Sequence, residues 1–273
     1  MHEIDISGPC LNCGTELHGK FCSSCGQRVA SPKLGLHDVL HEAIHEFLHV
    51  DGKLFRTMRL LLFNPGRLTL DFVEGRRARH ISPIRLYLLW SVLCFAVVAY
   101  FGFLSNAKVR LTPSAASRVA TEGAGSGSLT ARLAHGVEKV KEDPKRLSEA
   151  LVHSLPKAMF LLMPVFALLL MLFYRKAQPY YVPHLYFSIH LHAFAFCLLS
   201  SCLLLGATGI ALVEVVSLFL LGAVIPYFLL ALRTVYGGAW GKTLAKGATM
   251  IALYFVLLNV GIVIVIGVTL LTI

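Results

Sequence analysis

Acidic side chains are scarce in this chain. It has 15 Asp and Glu among 273 residues, against 25 Lys and Arg, so charged residues make up only 15% of it. Soluble domains carry about 25% charged and 45–50% apolar residues, whereas here the apolar share is 56%. An ordinary water-soluble globule is thereby excluded. The first thirty residues are polar and cysteine-rich. They lack the basic and then apolar order of a cleavable signal peptide, so insertion is expected to be directed by the membrane helices themselves. The net charge of +10 would suit a nucleic-acid partner in a soluble protein. Here the basic residues cluster beside hydrophobic runs, where membrane topology accounts for them, and no nucleic-acid partner is expected.

A helix crossing the hydrocarbon core of a bilayer needs about 20 mostly apolar residues. Five runs qualify, over residues 85–104, 158–174, 185–210, 211–232 and 247–271. The expected fold is therefore an all-α polytopic membrane protein, its partner the lipid bilayer, with a small module at residues 1–30. Amphipathic and juxtamembrane helices are expected over 34–84, and an exterior loop with a helical segment over 105–157. Only Gly206, Ala207, Thr208 and Gly209 are available to turn the third run into the fourth, which predicts a tight hairpin. Pro164 and Pro226 are expected to kink the second and fourth spans.

Sidedness follows from the flanking cations. Arg67, Arg76, Arg77 and Arg79 precede the first run and Arg85 opens it, Arg175 and Lys176 follow the second, and Arg233, Lys242 and Lys246 separate the fourth from the fifth. The Gly206–Gly209 turn and the tail after the fifth run carry no Lys or Arg. The long 105–157 connection is itself basic, but long segments translocate largely regardless of charge. An N-terminus in the cytoplasm and a C-terminus outside are expected.

Two knuckles, Cys10-Leu11-Asn12-Cys13 and Cys22-Ser23-Ser24-Cys25, carry the clearest chemistry. A two-residue spacer lets one turn present two thiolates, and four thiolates about 2.3 Å away satisfy tetrahedral zinc. Each knuckle is followed by a glycine, Gly14 or Gly26, which allows a left-handed backbone to turn amides toward the sulfurs. Disulfides are the alternative, disfavoured in a reducing cytoplasm. A segment this small has no other means of forming a core. A structural Zn2+ on Cys10, Cys13, Cys22 and Cys25 is expected. With four protein ligands it leaves no open position for catalysis. His18 could replace a thiolate, but the cysteine set is complete without it.

Between residues 34 and 50 the spacing predicts an amphipathic helix with His37, His41, His45 and His49 recurring every four residues. Within it His41-Glu42-Ala43-Ile44-His45 matches the metalloprotease HExxH pattern, in which two histidines hold zinc and the glutamate activates water. No later helix offers an obvious third ligand, and a helix of this polarity ahead of a membrane span reads first as interfacial. The stripe could bind metal or sense pH. Inside the apolar runs His184, His190, His192, Glu214 and Asn259 are candidates for an intramembrane polar site. Histidines hydrogen-bonded between helices are the plainer reading.

The block Asp51-Gly52-Lys53-Leu54-Phe55-Arg56-Thr57, then Asn64-Pro65-Gly66-Arg67, Gly75-Arg76-Arg77 and Pro83-Ile84-Arg85-Leu86-Tyr87, is basic and amphipathic. Its Arg76 to Arg85 part is expected to hold guanidiniums at anionic headgroups. Together with the knuckles and the stretch from His184 to Phe194, this block resembles an uncharacterised family of bacterial membrane proteins, a domain of unknown function. The resemblance implies a bacterial inner-membrane location and carries no known activity; the HExxH run is not part of the family pattern.

The leading reading is a non-enzymatic inner-membrane scaffold or regulator that docks a protein partner through a cytoplasmic zinc ribbon, with homo-oligomerisation compatible. A small transporter or lipid-handling protein working near His190, His192 and Asn259 is the alternative. A membrane metallopeptidase using His41, Glu42 and His45 ranks third.

Overall fold

The structure is a computed structural model and describes residues 8–29, 52–101, 129–142 and 144–272. Among these residues the fold is helical, with isolated bridges, Pro9 to Glu16 and Phe21 to Arg28, as its only β pairing. The helices are α1 (Lys53–Phe63), α2 (Arg67–Val73), α3 (Pro83–Tyr100), α4 (Leu129–Glu142), α5 (Pro144–Tyr174), α6 (Tyr181–Gly206), α7 (Ala211–Gly222), α8 (Val224–Tyr236) and α9 (Trp240–Thr272). Among the described residues, five stretches are long and apolar enough to cross a membrane: Pro83–Tyr100, Ser154–Tyr174, Tyr181–Gly206, Ala211–Tyr236 and Trp240–Thr272.

The chain divides into two compact units. The first comprises the described parts of Met1–Val92 and Met163–Ile251. Its centre is α6, whose first three turns are buried almost without interruption from Val182 to His190. Aromatic side chains fill the space around it. Phe194 stacks on Tyr227 of α8 with ring centroids 3.6 Å apart, and Tyr174 of α5 stacks on Tyr236 at 4.2 Å.

Against this core lie the two short helices. Pro65 ends α1, since it offers no N–H to continue the ladder. Gly66 then turns the chain at φ +80°, and a Cβ there would sit 2.8 Å from the carbonyl oxygen of Ala231. Only glycine lets the α1–α2 turn press this closely on α8. From the other side the Tyr227 hydroxyl donates to the Leu61 carbonyl at 2.6 Å.

The fourth apolar stretch is two helices rather than one. Pro226 has no N–H for the carbonyl of Gly222, and α7 gives way to α8 at Ala223. The α6–α7 connection turns at Gly209, φ +68°, after the Thr208 hydroxyl has bonded the Leu205 carbonyl at 2.7 Å.

The second unit comprises the described parts of Leu93–Leu162 and Ala252–Ile273. In it α4 lies against the end of α9, where Gly136 meets the backbone of Leu270. Most of the large apolar side chains of α9 face outward, Phe255, Val263 and Ile264 among them, as suits a lipid-facing helix.

Candidate metal centre

Each cysteine knuckle is closed by the same pair of backbone bonds. The Gly14 amide donates to the Cys10 carbonyl and the Cys10 amide to Thr15, both at 2.8 Å; Gly26 to Cys22 and Cys22 to Gln27 repeat the pattern at 2.9 Å. The repeat requires a left-handed residue after the second cysteine, which Gly14 (φ +78°) and Gly26 (φ +69°) supply.

The two turns face one another so that all four sulfurs lie within 4.8 Å. Cys10 Sγ is 3.7 Å from Cys25 Sγ, and Cys13 Sγ is 3.5 Å from Cys22 Sγ. A tetrahedron with bonds of about 2.3 Å has edges of about 3.8 Å, so the quartet has the size of a four-thiolate metal site. The described cysteines are free thiols, not disulfides. The Thr15 hydroxyl and amide draw the Cys13 thiol down to about 6, whereas burial pushes Cys10 up to about 11. Cys13 is thus a ready thiolate, and a bound cation would deprotonate Cys10. His18 is exposed and stands outside the group.

The residues between and after the cysteines grip a distant loop of the same unit. Gln27 Nε2 donates to the Gly75 carbonyl at 2.7 Å, and its Oε1 accepts from the amides of Arg77 and Ala78, both at 3.1 Å. The Arg79 guanidinium donates to the Asn12 carbonyl. Leu11 fits where Gly75 has no Cβ.

The loop it grips is organised around one acid. Asp71 Oδ1 accepts from Arg76 Nη2 at 2.7 Å and Nε at 3.1 Å, and Oδ2 lies 2.9 Å from His80 Nε2. Arg67 Nε stands 3.5 Å from the same carboxylate, and Arg76 also pairs with Glu74. Burial works against ionised Asp71, but the bonds from Arg76 and His80 outweigh it and hold the carboxyl below its ordinary value. Burial lowers His80, and Asp71 only partly counters it, with Arg56 and Arg79 adding to the fall. The His80–Asp71 contact at neutral pH is therefore a neutral imidazole N–H donating to a carboxylate rather than an ion pair. The loop arginines expected at lipid headgroups are in this way largely used inside the protein: Arg76 on Asp71, Arg77 on the Phe72 carbonyl and Arg79 on Asn12.

The three histidines of α6 are buried and bonded separately. His184 has Nδ1 2.8 Å from the Tyr236 hydroxyl and Nε2 3.0 Å from the Gln178 carbonyl. His190 Nδ1 meets Thr69 Oγ1 at 2.9 Å, and His192 Nδ1 meets the Ser188 carbonyl of its own helix at 2.7 Å. His80 Nδ1 and His190 Nε2 are buried without a hydrogen-bond partner. Glu214 is exposed in the first turn of α7. Asn259 is exposed too and donates to the Phe255 carbonyl of its own helix at 2.7 Å. Among the described residues, only the four cysteines form a group able to hold an ion. His37, His41, Glu42, His45 and His49 lie outside the described residues.

Sequence reading missed Gln27, Asp71 and His80. One signal was available for the second: Asp71 and Glu74 are the two acids in a stretch that also holds Arg67, Arg76, Arg77 and Arg79.

Residues 51–95 match the model of a protein family of unknown function, DUF3667. The matched stretch holds α1, α2, the Asp71 loop and the first part of α3; the cysteine knuckles lie before it. No curated protein and no solved structure matches the chain.

Proposed function

We propose that this is a non-enzymatic integral protein of the bacterial inner membrane, a scaffold or regulator whose N-terminal ribbon binds one structural Zn2+ in the cytoplasm. The observation that carries the reading is the four-sulfur group within 4.8 Å, tied to the Asp71 loop through Gln27. Four thiolates close the coordination sphere and give the metal a folding role. Cytoplasmic zinc ties this to sidedness, which the cations Arg175, Lys176, Arg233, Lys242 and Lys246 support. Phe21, 62% exposed on the ribbon, is available to a protein partner.

Co-purification from membranes, with the intact chain and with Cys10→Ser/Cys13→Ser, tests this reading. Loss of zinc together with loss of specific partners supports it. An unchanged partner set would overturn the docking role.

A second reading, a small transporter, is favoured by one observation: His190 is 4% exposed and leaves Nε2 unpartnered. Buried polar groups are seldom left in that state unless water or an ion reaches them. Proteoliposome flux lost in His190→Leu would support it, and flux equal to that of empty liposomes would exclude it.

A further inference from the structure

We infer that the outward face of α1 is a docking surface for anionic phospholipid headgroups. The inference requires the chain to be membrane-embedded, but not that the cysteines hold metal.

The helix has two unlike sides. Thr57 and Leu61, one turn apart, are fully buried on the protein side, at 0 and 1% exposure. On the other side Phe55, Arg59 and Phe63 follow one another at four-residue spacing, with Arg56 beside them. Phe55 is 79% and Phe63 76% exposed. Two outward phenylalanines bracketing an arginine form the surface of a helix lying at the headgroup boundary, with rings toward acyl chains and cations toward phosphate.

Contacts of the inner face fix the level of α1. Met58 Sδ accepts from the indole N–H of Trp90 at 3.2 Å, and Trp90 is in the second turn of α3, a candidate membrane span. Tryptophans near span ends mark the interface. Leu61 is tied to Tyr227 of a second candidate span.

Charge selects the kind of lipid. Arg67 and Arg76 share Asp71, and Arg77 and Arg79 bond carbonyls within the chain. Among the described residues, Lys53, Arg56 and Arg59 have no acid within ion-pair distance. Arg56 and Arg59 are three positions apart, so they stand about 5–6 Å from one another at Cβ, close enough to share one phosphate-bearing headgroup. An arginine near an anionic surface contributes about 1 kcal/mol, or about fivefold in affinity, so the pair should account for about 25-fold.

The test uses the full chain in neutral detergent, titrated with phosphatidylglycerol, with phosphatidylcholine or with inorganic phosphate, and read by thermal midpoint. Phosphatidylglycerol should raise the midpoint at low concentration, and phosphatidylcholine should not. Arg56→Gln/Arg59→Gln should require about 25-fold more phosphatidylglycerol for the same rise. Arg56→Lys/Arg59→Lys should respond as wild type, as should Arg132→Gln on α4. An unchanged response in the glutamine pair, a failure of the lysine pair, an equal response to phosphatidylcholine, or saturation by inorganic phosphate alone would each overturn the inference. A chain that stays soluble without detergent would instead overturn the membrane reading itself.

Discussion

Thr69 and His190 stand 121 positions apart in the chain and meet side chain to side chain, Oγ1 to Nδ1 at 2.9 Å, inside the first unit. This bond fastens the short helix α2 to the most buried part of α6. The same short helix carries Asp71, which holds the arginine loop, and the loop in turn is held by Gln27 of the ribbon. A continuous set of polar contacts thus runs from the cysteine knuckles to a helix long and apolar enough to cross a membrane.

Thr69→Val should destabilise the protein, because His190 would then have both ring nitrogens buried and unpartnered. An unmet buried polar group costs about 1–3 kcal/mol. The thermal midpoint in detergent should fall, and a second change, His190→Leu, should recover most of the loss by removing the stranded ring. A double variant as unstable as the single one would contradict this account of the pair.

Gln27→Leu should free the arginine loop while leaving the metal in place. The amides of Arg77 and Ala78 both donate to Gln27. Their hydrogen-exchange protection should fall about tenfold, the equivalent of one hydrogen bond at about 1–1.5 kcal/mol. Unchanged protection at both amides would show that the ribbon does not hold this loop.

Stability should decline as pH falls below the ordinary imidazole value, and His80 should account for part of the decline. Folding lowers His80 from 6.5, so the unfolded chain takes up its proton first. The contribution of the neutral ring is full above 6.5 and is lost as pH drops through that value toward the lower folded one. Asp71, lowered from 3.8 by its partners, contributes in a more acidic window: present above 3.8, lost as pH falls through its folded value. His80→Gln should flatten the slope just below 6.5 and leave the acid limb in place. An equal slope in the variant would exclude His80 from the effect.

Gly66→Ala should cost more than Gly209→Ala. Both glycines have positive φ, +80° and +68°, but only Gly66 has a neighbour, Ala231 O, at 2.8 Å from the missing Cβ. Backbone strain alone is about 1 kcal/mol, so the excess in thermal destabilisation at Gly66 measures how closely the α1–α2 turn packs on α8. Equal losses would mean that the turn yields freely.

The apolar runs were legible because a membrane span is specified by composition and length alone. The cysteine quartet was legible because its spacing is local. What could not be read was pairing over distance. Gln27 finds its amides about fifty positions away, and Thr69 finds His190 across 121; neither pairing leaves a periodic trace. Arg76, Arg77 and Arg79 read as headgroup ligands because their charge is visible in sequence, whereas the Asp71 carboxylate and the carbonyls that engage them become neighbours only in the folded chain. The Pro226 kink was visible, but not that it would divide the fourth run into two helices at Ala223.

The most direct test is elemental analysis of the intact chain purified from membranes without added metal, beside Cys10→Ser/Cys22→Ser. About one zinc per wild-type chain is expected and none in the variant, whose Arg77 and Ala78 amides should also lose protection. A wild-type chain free of metal, with the mass of two disulfides, would contradict this expectation.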